Sequence, residues 1–135
     1  MDSKVEKKMR AVIYTAPGEY SYSEDTQPIP VPQRGQVLIR VEYSVINPTD
    51  IYLLKGLYKH PMIKFGYPYT PGFEGSGIVV GYGGGLLGWS LQGKRVAFGK
   101  PNEELGSFTR PGAYGEYCVT EAFNCIPLPN NISLE

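Results

Sequence analysis

The sequence is poor in the residues that most often announce a reactive site. It has two cysteines, Cys118 and Cys125, and neither belongs to a C-x-x-C pair. A zinc ribbon or a thioredoxin-type centre is therefore excluded, and buried free thiols are the expected state rather than a disulfide. The single histidine, His60, lies between Lys59 and Pro61, a setting for a solvated loop side chain rather than a general base. Neither sign of charge dominates: 13 Lys and Arg face 13 Asp and Glu. Without a basic excess there is no electrostatic case for nucleic acid or an anionic membrane surface as partner. No apolar run approaches the ~18 residues of a spanning helix. Residues 1–8 mix lysines with acids and lack an apolar stretch. They read as a solvated tail, neither secretory signal nor transit peptide, which leaves the cytoplasm as the expected compartment.

Glycine, proline and tyrosine are abundant instead, at 17, 12 and 11 of 135 residues. That balance predicts many short strands with tight turns, in one mainly β domain over residues 9–135. Met9–Tyr14 is a strand candidate stopped by Pro17-Gly18, a turn pair. Glu19–Asp25 is a weaker, polar strand. The three prolines of Gln27–Pro32 make an extended connector. Gln36–Val45 is the clearest strand, with Val37, Ile39, Val41, Tyr43 and Val45 alternating onto a core face. Arg95–Phe98, Gly112–Thr120 and Asn124–Pro129 supply further short strands or turns, and residues 130–135 trail off.

Ser44–Gly77 organises the rest. Asn47 is a plausible N-cap, Pro48 suits the first helical position and Asp50 the first turn. A helix of about two turns follows, with an apolar stripe at Ile51, Leu54 and Leu57, ended by Gly56 in a left-handed conformation. Pro71-Gly72 then turns the chain into F-E-G-S-G-I-V-V, where glycines within a strand signal a bulge or a close backbone approach. Gly83, Gly85 and Gly88 match the letters of a dinucleotide fingerprint. A strand follows too soon for the required helix, so the reading is a hairpin-type loop over Gly81–Gly88.

The order of segments carries a resemblance. M-R-A-V-I-Y, the proline connector, G-Q-V-L-I-R-V-E-Y-S-V-I-N-P-T-D, P-Y-T-P-G-F-E-G-S-G-I-V-V, G-K-R-V-A-F, G-A-Y-G-E-Y-C-V-T and I-P-L-P-N-N-I-S appear in turn. Together they resemble the N-terminal, GroES-like half of the medium-chain dehydrogenase/reductase superfamily, in its zinc-free quinone oxidoreductase branch. The implied fold is a partly open GroES-like β-barrel with short helices. The implied chemistry is hydride transfer from NADPH to a small quinone or enone. Zinc alcohol dehydrogenases carry cysteine where this chain has Asn47 and histidine where it has Phe73. Neither residue can replace thiolate or imidazole, so no zinc is expected.

By the same resemblance Asn47 and Asp50 would meet the cofactor, and Tyr52 and Tyr58 would line the substrate pocket. Tyr52 is the candidate proton donor, with water the alternative. Each residue has a plainer role: Asn47 and Asp50 as helix caps, the two tyrosines as covers for apolar surface, Glu74 as a strand charge, Cys118 as core packing. The resemblance places the Rossmann domain, and the return segment completing the first domain, outside this sequence. Two functions follow. The chain is the substrate-side domain of an oxidoreductase, inactive without a Rossmann partner, or a non-catalytic GroES-like binding or structural subunit of a larger assembly.

Overall fold

The computed structural model describes residues 7–57, 66–101 and 110–135. Its first unit is an antiparallel hairpin, β1 (Lys8–Ala16) with β2 (Glu19–Pro28). Met9, Ala11 and Ile13 point inward along β1, while β2 has no buried residue and forms an outer edge. Gly18 makes the turn at φ +77°.

The second unit is a five-stranded antiparallel sheet. It contains β3 (Gln36–Ser44), β4 (Glu74–Tyr82), β5 (Arg95–Gly99), β6 (Tyr117–Glu121) and β7 (Cys125–Pro127), in the order β6-β3-β4-β5-β7. Its core joins Val37 and Ile39 of β3 to Val79, Val96, Phe98 and Cys118. Both units being antiparallel, the architecture is mainly β, as the sequence pattern predicts, and partly open, as the resemblance implies. The hairpin meets the rest through short bridges, Ala11 to Gly115 and Tyr14 to Tyr69.

The expected bulge is present. Pairing between β3 and β4 shifts register between Val41 and Tyr43. A Cβ added at Gly75 or Gly77 would strike the Tyr43 or Arg40 carbonyl, so these glycines admit the neighbouring backbone.

Four expectations are corrected. Gly81–Gly88 is not all loop: α2 (Leu86–Leu91) begins after Gly84 and Gly85, which take φ of +125° and +95°. Leu91 drives into the core at 3% exposure, which is why six residues suffice to hold this helix. The chain still returns antiparallel into β5, so the glycine run opens no βαβ crossover. Second, the alternating face of β3 leaves the core: Val37 and Ile39 are fully buried, but Tyr43 and Val45 are largely exposed. The sheet twists past its cover there, and β6 pairs only as far as Arg40.

Third, α1 (Pro48–Leu54) buries Asp50 and Leu53, whereas Ile51 and Leu57 of the expected stripe are exposed. The hairpin turn against its C-terminus sets this rotation. Gly18 N–H donates to Leu54 O, and Gly56, at φ +68°, lies where a side chain would strike Pro17. Fourth, the last residues are tied down: Arg95 donates to Ile132 O at 2.6 Å, and Ser76 Oγ to Leu134 O. Both cysteines are free thiols, Cys118 buried and Cys125 half-buried.

Candidate functional site

The N-terminus of α1 and the first residue of β4 form a polar rim. Asn47 ends the extended run after β3, and Pro48 opens the helix. Asp50 N–H donates to Asn47 O at 3.0 Å, and Asn47 N–H donates to Asp50 Oδ2 at 2.7 Å. The carboxylate thereby satisfies a backbone donor that the turn would otherwise strand. The Asn47 side chain also reaches the sheet, where Nδ2 donates to Glu74 Oε1 at 2.8 Å. The rim thus presents one amide and one carboxylate, held by two separate elements. Phe73, half-buried, packs into the tyrosine cluster beneath it.

Of the residues singled out from the sequence, Asn47 is half-buried at this rim and Tyr52 stands 54% exposed on α1. Asp50 points inward at 1% exposure, so its contacts are with the protein interior. Tyr58 and His60 lie outside the described residues, as does most of the predicted tail.

What the sequence reading missed is the set of aromatic rings around Asp50. Tyr14 of β1 exchanges backbone hydrogen bonds with Tyr69 at 2.8 and 3.1 Å. Their rings meet edge-on at 5.6 Å. The Tyr114 hydroxyl donates to Val45 O at 3.2 Å. Burial pushes the phenols of Tyr14, Tyr69 and Tyr114 above their ordinary range, and the Asp50 charge adds to the shift in each. Only Tyr14 lies in a segment read as a strand, Met9–Tyr14, and period two would turn it away from the face that Met9, Ala11 and Ile13 bury. Tyr69 and Tyr114 arrive by pairings that link distant parts of the chain.

Cofactor and metal can be tested against these groups. The Asn47 amide and its Glu74 partner offer a hydrogen-bonding edge of the kind a carboxamide could meet. No phosphate cradle accompanies it in the described residues, because the glycine run caps the short α2 and turns back. Asn47 and Phe73 present an amide and a hydrocarbon ring where zinc would need thiolate and imidazole. Among the described residues, no three His, Cys, Asp or Glu side chains converge as a metal-holding group.

An open antiparallel β domain with a capped turn against a glycine-threaded central strand has the GroES-like architecture. The chain belongs to the family of the alcohol dehydrogenase GroES-like domain, whose pattern matches residues 33–130. It is 29% identical to a zinc-type alcohol dehydrogenase-like protein of Schizosaccharomyces pombe, over 94% of this chain and 36% of that protein. It is 31% identical to a quinone oxidoreductase of Lama guanicoe, over 79% of this chain and 29% of that enzyme. Among solved structures, a candidate NADPH:quinone reductase of Mesorhizobium loti matches with a TM-score of 0.73 and 32% identity, covering 97% of this chain and 39% of the other. The chain thus spans about a third of the length of these relatives. No helix among the described residues is long and apolar enough to cross a membrane.

Proposed function

We propose that this chain is the substrate-side domain of a zinc-independent, NADPH-dependent oxidoreductase that reduces a small quinone or enone in the cytoplasm. The observation that carries the reading is the Asn47–Glu74 hydrogen bond at the rim. It orients an amide where a metal-dependent relative would need a ligand, and Phe73, where such a relative would carry histidine, packs against the tyrosine cluster instead. The likeness to quinone oxidoreductases supports the substrate class.

In this reading the cofactor supplies the hydride, and the chain supplies position. Asn47 fixes the nicotinamide edge, with Glu74 holding its amide in one orientation. Asp50 keeps the turn in shape from behind, through the cap at Asn47 N–H, rather than by direct contact. Tyr52 and Tyr58 stack on the flat substrate, and the Tyr52 hydroxyl, exposed to water, is the proton donor. The phosphates are held by a Rossmann-type domain.

The test joins this chain to the remaining two thirds of a quinone oxidoreductase relative. The chimera is expected to oxidise NADPH with a quinone, in the presence of EDTA. Asn47→Ala should lower the rate by about tenfold, the worth of one good hydrogen bond. The chain alone should leave NADPH fluorescence unchanged. A folded, cofactor-loaded chimera without activity, or activity lost to EDTA and restored by zinc, overturns the proposal.

One observation favours the second reading, a non-catalytic binding subunit. Leu86 and Trp89 of α2 and Phe123 in the short turn after β6 are 81%, 62% and 75% exposed. They lie at the end of β4 away from Glu74. Such apolar side chains suit a protein contact. A stable complex on native sizing, lost in Trp89→Ser, would select this reading.

A further inference from the structure

A cavity not lined by Asn47 or Glu74 lies beside α1. It opens between the β1–β2 hairpin, α1 and the turn at residues 113–116, with a volume of about 630 Å³. That is the size of an ordinary small-molecule site. Its wall is largely apolar and aromatic: Tyr14, Tyr20, Tyr22 and Tyr114 contribute rings, and Val12 and Leu54 contribute alkyl surface. Three carboxylates, from Glu42, Asp50 and Glu116, face one guanidinium, from Arg10.

The carboxylates differ in their commitments. Glu116 is paired with Arg10 at 3.1 Å, and Glu42 with Arg40 at 3.3 Å. Asp50 is 99% buried and has no ion-pair partner among the described residues. Its Oδ2 serves the helix cap, but its Oδ1 is buried without a hydrogen-bond donor. The Tyr114 hydroxyl lies within hydrogen-bonding reach of this carboxylate, but its closer geometry is to Val45 O at 3.2 Å, which leaves Oδ1 without a well-formed bond. A buried carboxylate oxygen without a donor is a costly arrangement that a ligand would relieve. Tyrosine faces around a carboxylate also favour positive charge, through the negative faces of the rings.

We propose that this cavity binds a small organic cation, an ammonium group carried on an aromatic or apolar body. The ammonium meets Asp50 Oδ1 at the floor. The body lies against Tyr14 and Tyr114, and Tyr20 and Tyr22 of the exposed hairpin strand close over it. Neither Asn47 nor Tyr52 lines this site, and Asp50 meets the ligand through Oδ1 while its Oδ2 keeps the cap at Asn47 N–H.

The probe is tyramine, with 4-ethylphenol as its neutral counterpart and 3-(4-hydroxyphenyl)propionate as its anionic one. Each is titrated into the 135-residue chain and followed by amide chemical shifts. Tyramine should perturb residues 10–14, 50–54 and 113–116 and bind at least about tenfold more tightly than either counterpart, as one charge-assisted contact requires. Asp50→Asn keeps the cap acceptor and should erase that preference. Tyr22→Ala, on an exposed strand, should weaken tyramine without disturbing the fold, and so provides a test if Asp50→Asn does not fold. Equal affinity for the three probes, no binding of tyramine, or shifts confined to Asn47 and Glu74 would overturn the proposal.

Discussion

The five-stranded sheet and the layer under the hairpin solve burial in different ways. The sheet core is mostly aliphatic: Val37, Ile39 and Val96 are fully buried, with Phe98 and Cys118 beside them and no buried charge among them. The hairpin layer is built from Tyr14, Tyr69 and Leu53, with Phe73 and Tyr67 partly buried beside them. It encloses a carboxylate and borders a cavity. Aliphatic packing supplies stability through area and close fit. Tyrosines supply similar area but keep hydroxyl groups that need partners. The sheet therefore holds the chain together, and the tyrosine layer is where ligands and protons have something to meet.

The largest effect should come from forcing the sheet apart. Gly77→Ala places a methyl group against Arg40 O and the Ile39 side chain, at the β3–β4 bulge. A cost above about 3 kcal/mol is expected, enough to prevent folding of a marginal domain. Circular dichroism of the purified variant tests this; a native spectrum with an unchanged urea midpoint would show that the bulge can relax. Ile39→Ala removes fully buried atoms from the same sheet and should cost about 2–5 kcal/mol by urea titration. If Tyr69→Ala costs as much as Ile39→Ala, the contrast between the two layers fails.

Alkaline pH should attack the tyrosine layer selectively. Tyr14, Tyr69 and Tyr114 have phenols raised by burial. A raised folded-state value means that the folded chain keeps its protons where the unfolded chain loses them. Their contribution is complete below the unfolded value of ~10 and is lost as pH rises above it. Tyrosinate absorbance from these three should appear together with loss of tertiary structure. Tyrosinate appearing well before unfolding would show that water reaches the layer freely. The thiols provide the sheet's counterpart. Burial raises Cys118, and it raises Cys125 to about 11, so neither should react with a thiol reagent at pH 8 until the chain unfolds.

Much of this architecture was legible in the sequence because its signals are local. Pro17-Gly18 marked a hairpin turn, the alternation from Val37 marked β3, Asn47-Pro48 marked a helix start, and glycines 75 and 77 marked a close approach. Each depends on the residues beside it. The rotation of α1 was not legible, because it depends on the hairpin turn packing at Gly56. Nor was α2, which is held by one buried side chain, Leu91, rather than by periodicity. The tyrosine ring around Asp50 was invisible for the same reason, since Tyr69 and Tyr114 reach it from far along the chain. The rim was half legible: Asn47 was singled out, but its bond to Glu74 joins residues 27 apart.

The smallest effect lies at the seam between the two layers. Arg10 of β1 and Glu116 of the turn before β6 are joined three ways. Arg10 N–H donates to Glu116 Oε1 at 2.7 Å, Glu116 N–H donates to Arg10 O at 3.0 Å, and the side chains pair at 3.1 Å. The Arg10 side-chain hydrogen bond, helped by the backbone bond, holds the Glu116 carboxyl below its ordinary value. A depressed carboxyl contributes stability at neutral pH that is lost as pH falls through the folded-state value, below the usual ~4.3. The contribution is small, because both side chains are open to water and salt. Two of the three contacts involve backbone and the other is an ion pair, which separates their roles. Glu116→Gln keeps an acceptor for Arg10 N–H but cannot be protonated in the same range. Compared with the unaltered chain, it should be slightly less stable at pH 7, and the difference should shrink between pH 5 and pH 3. A difference that stays constant across that range would assign the seam to its backbone bonds alone.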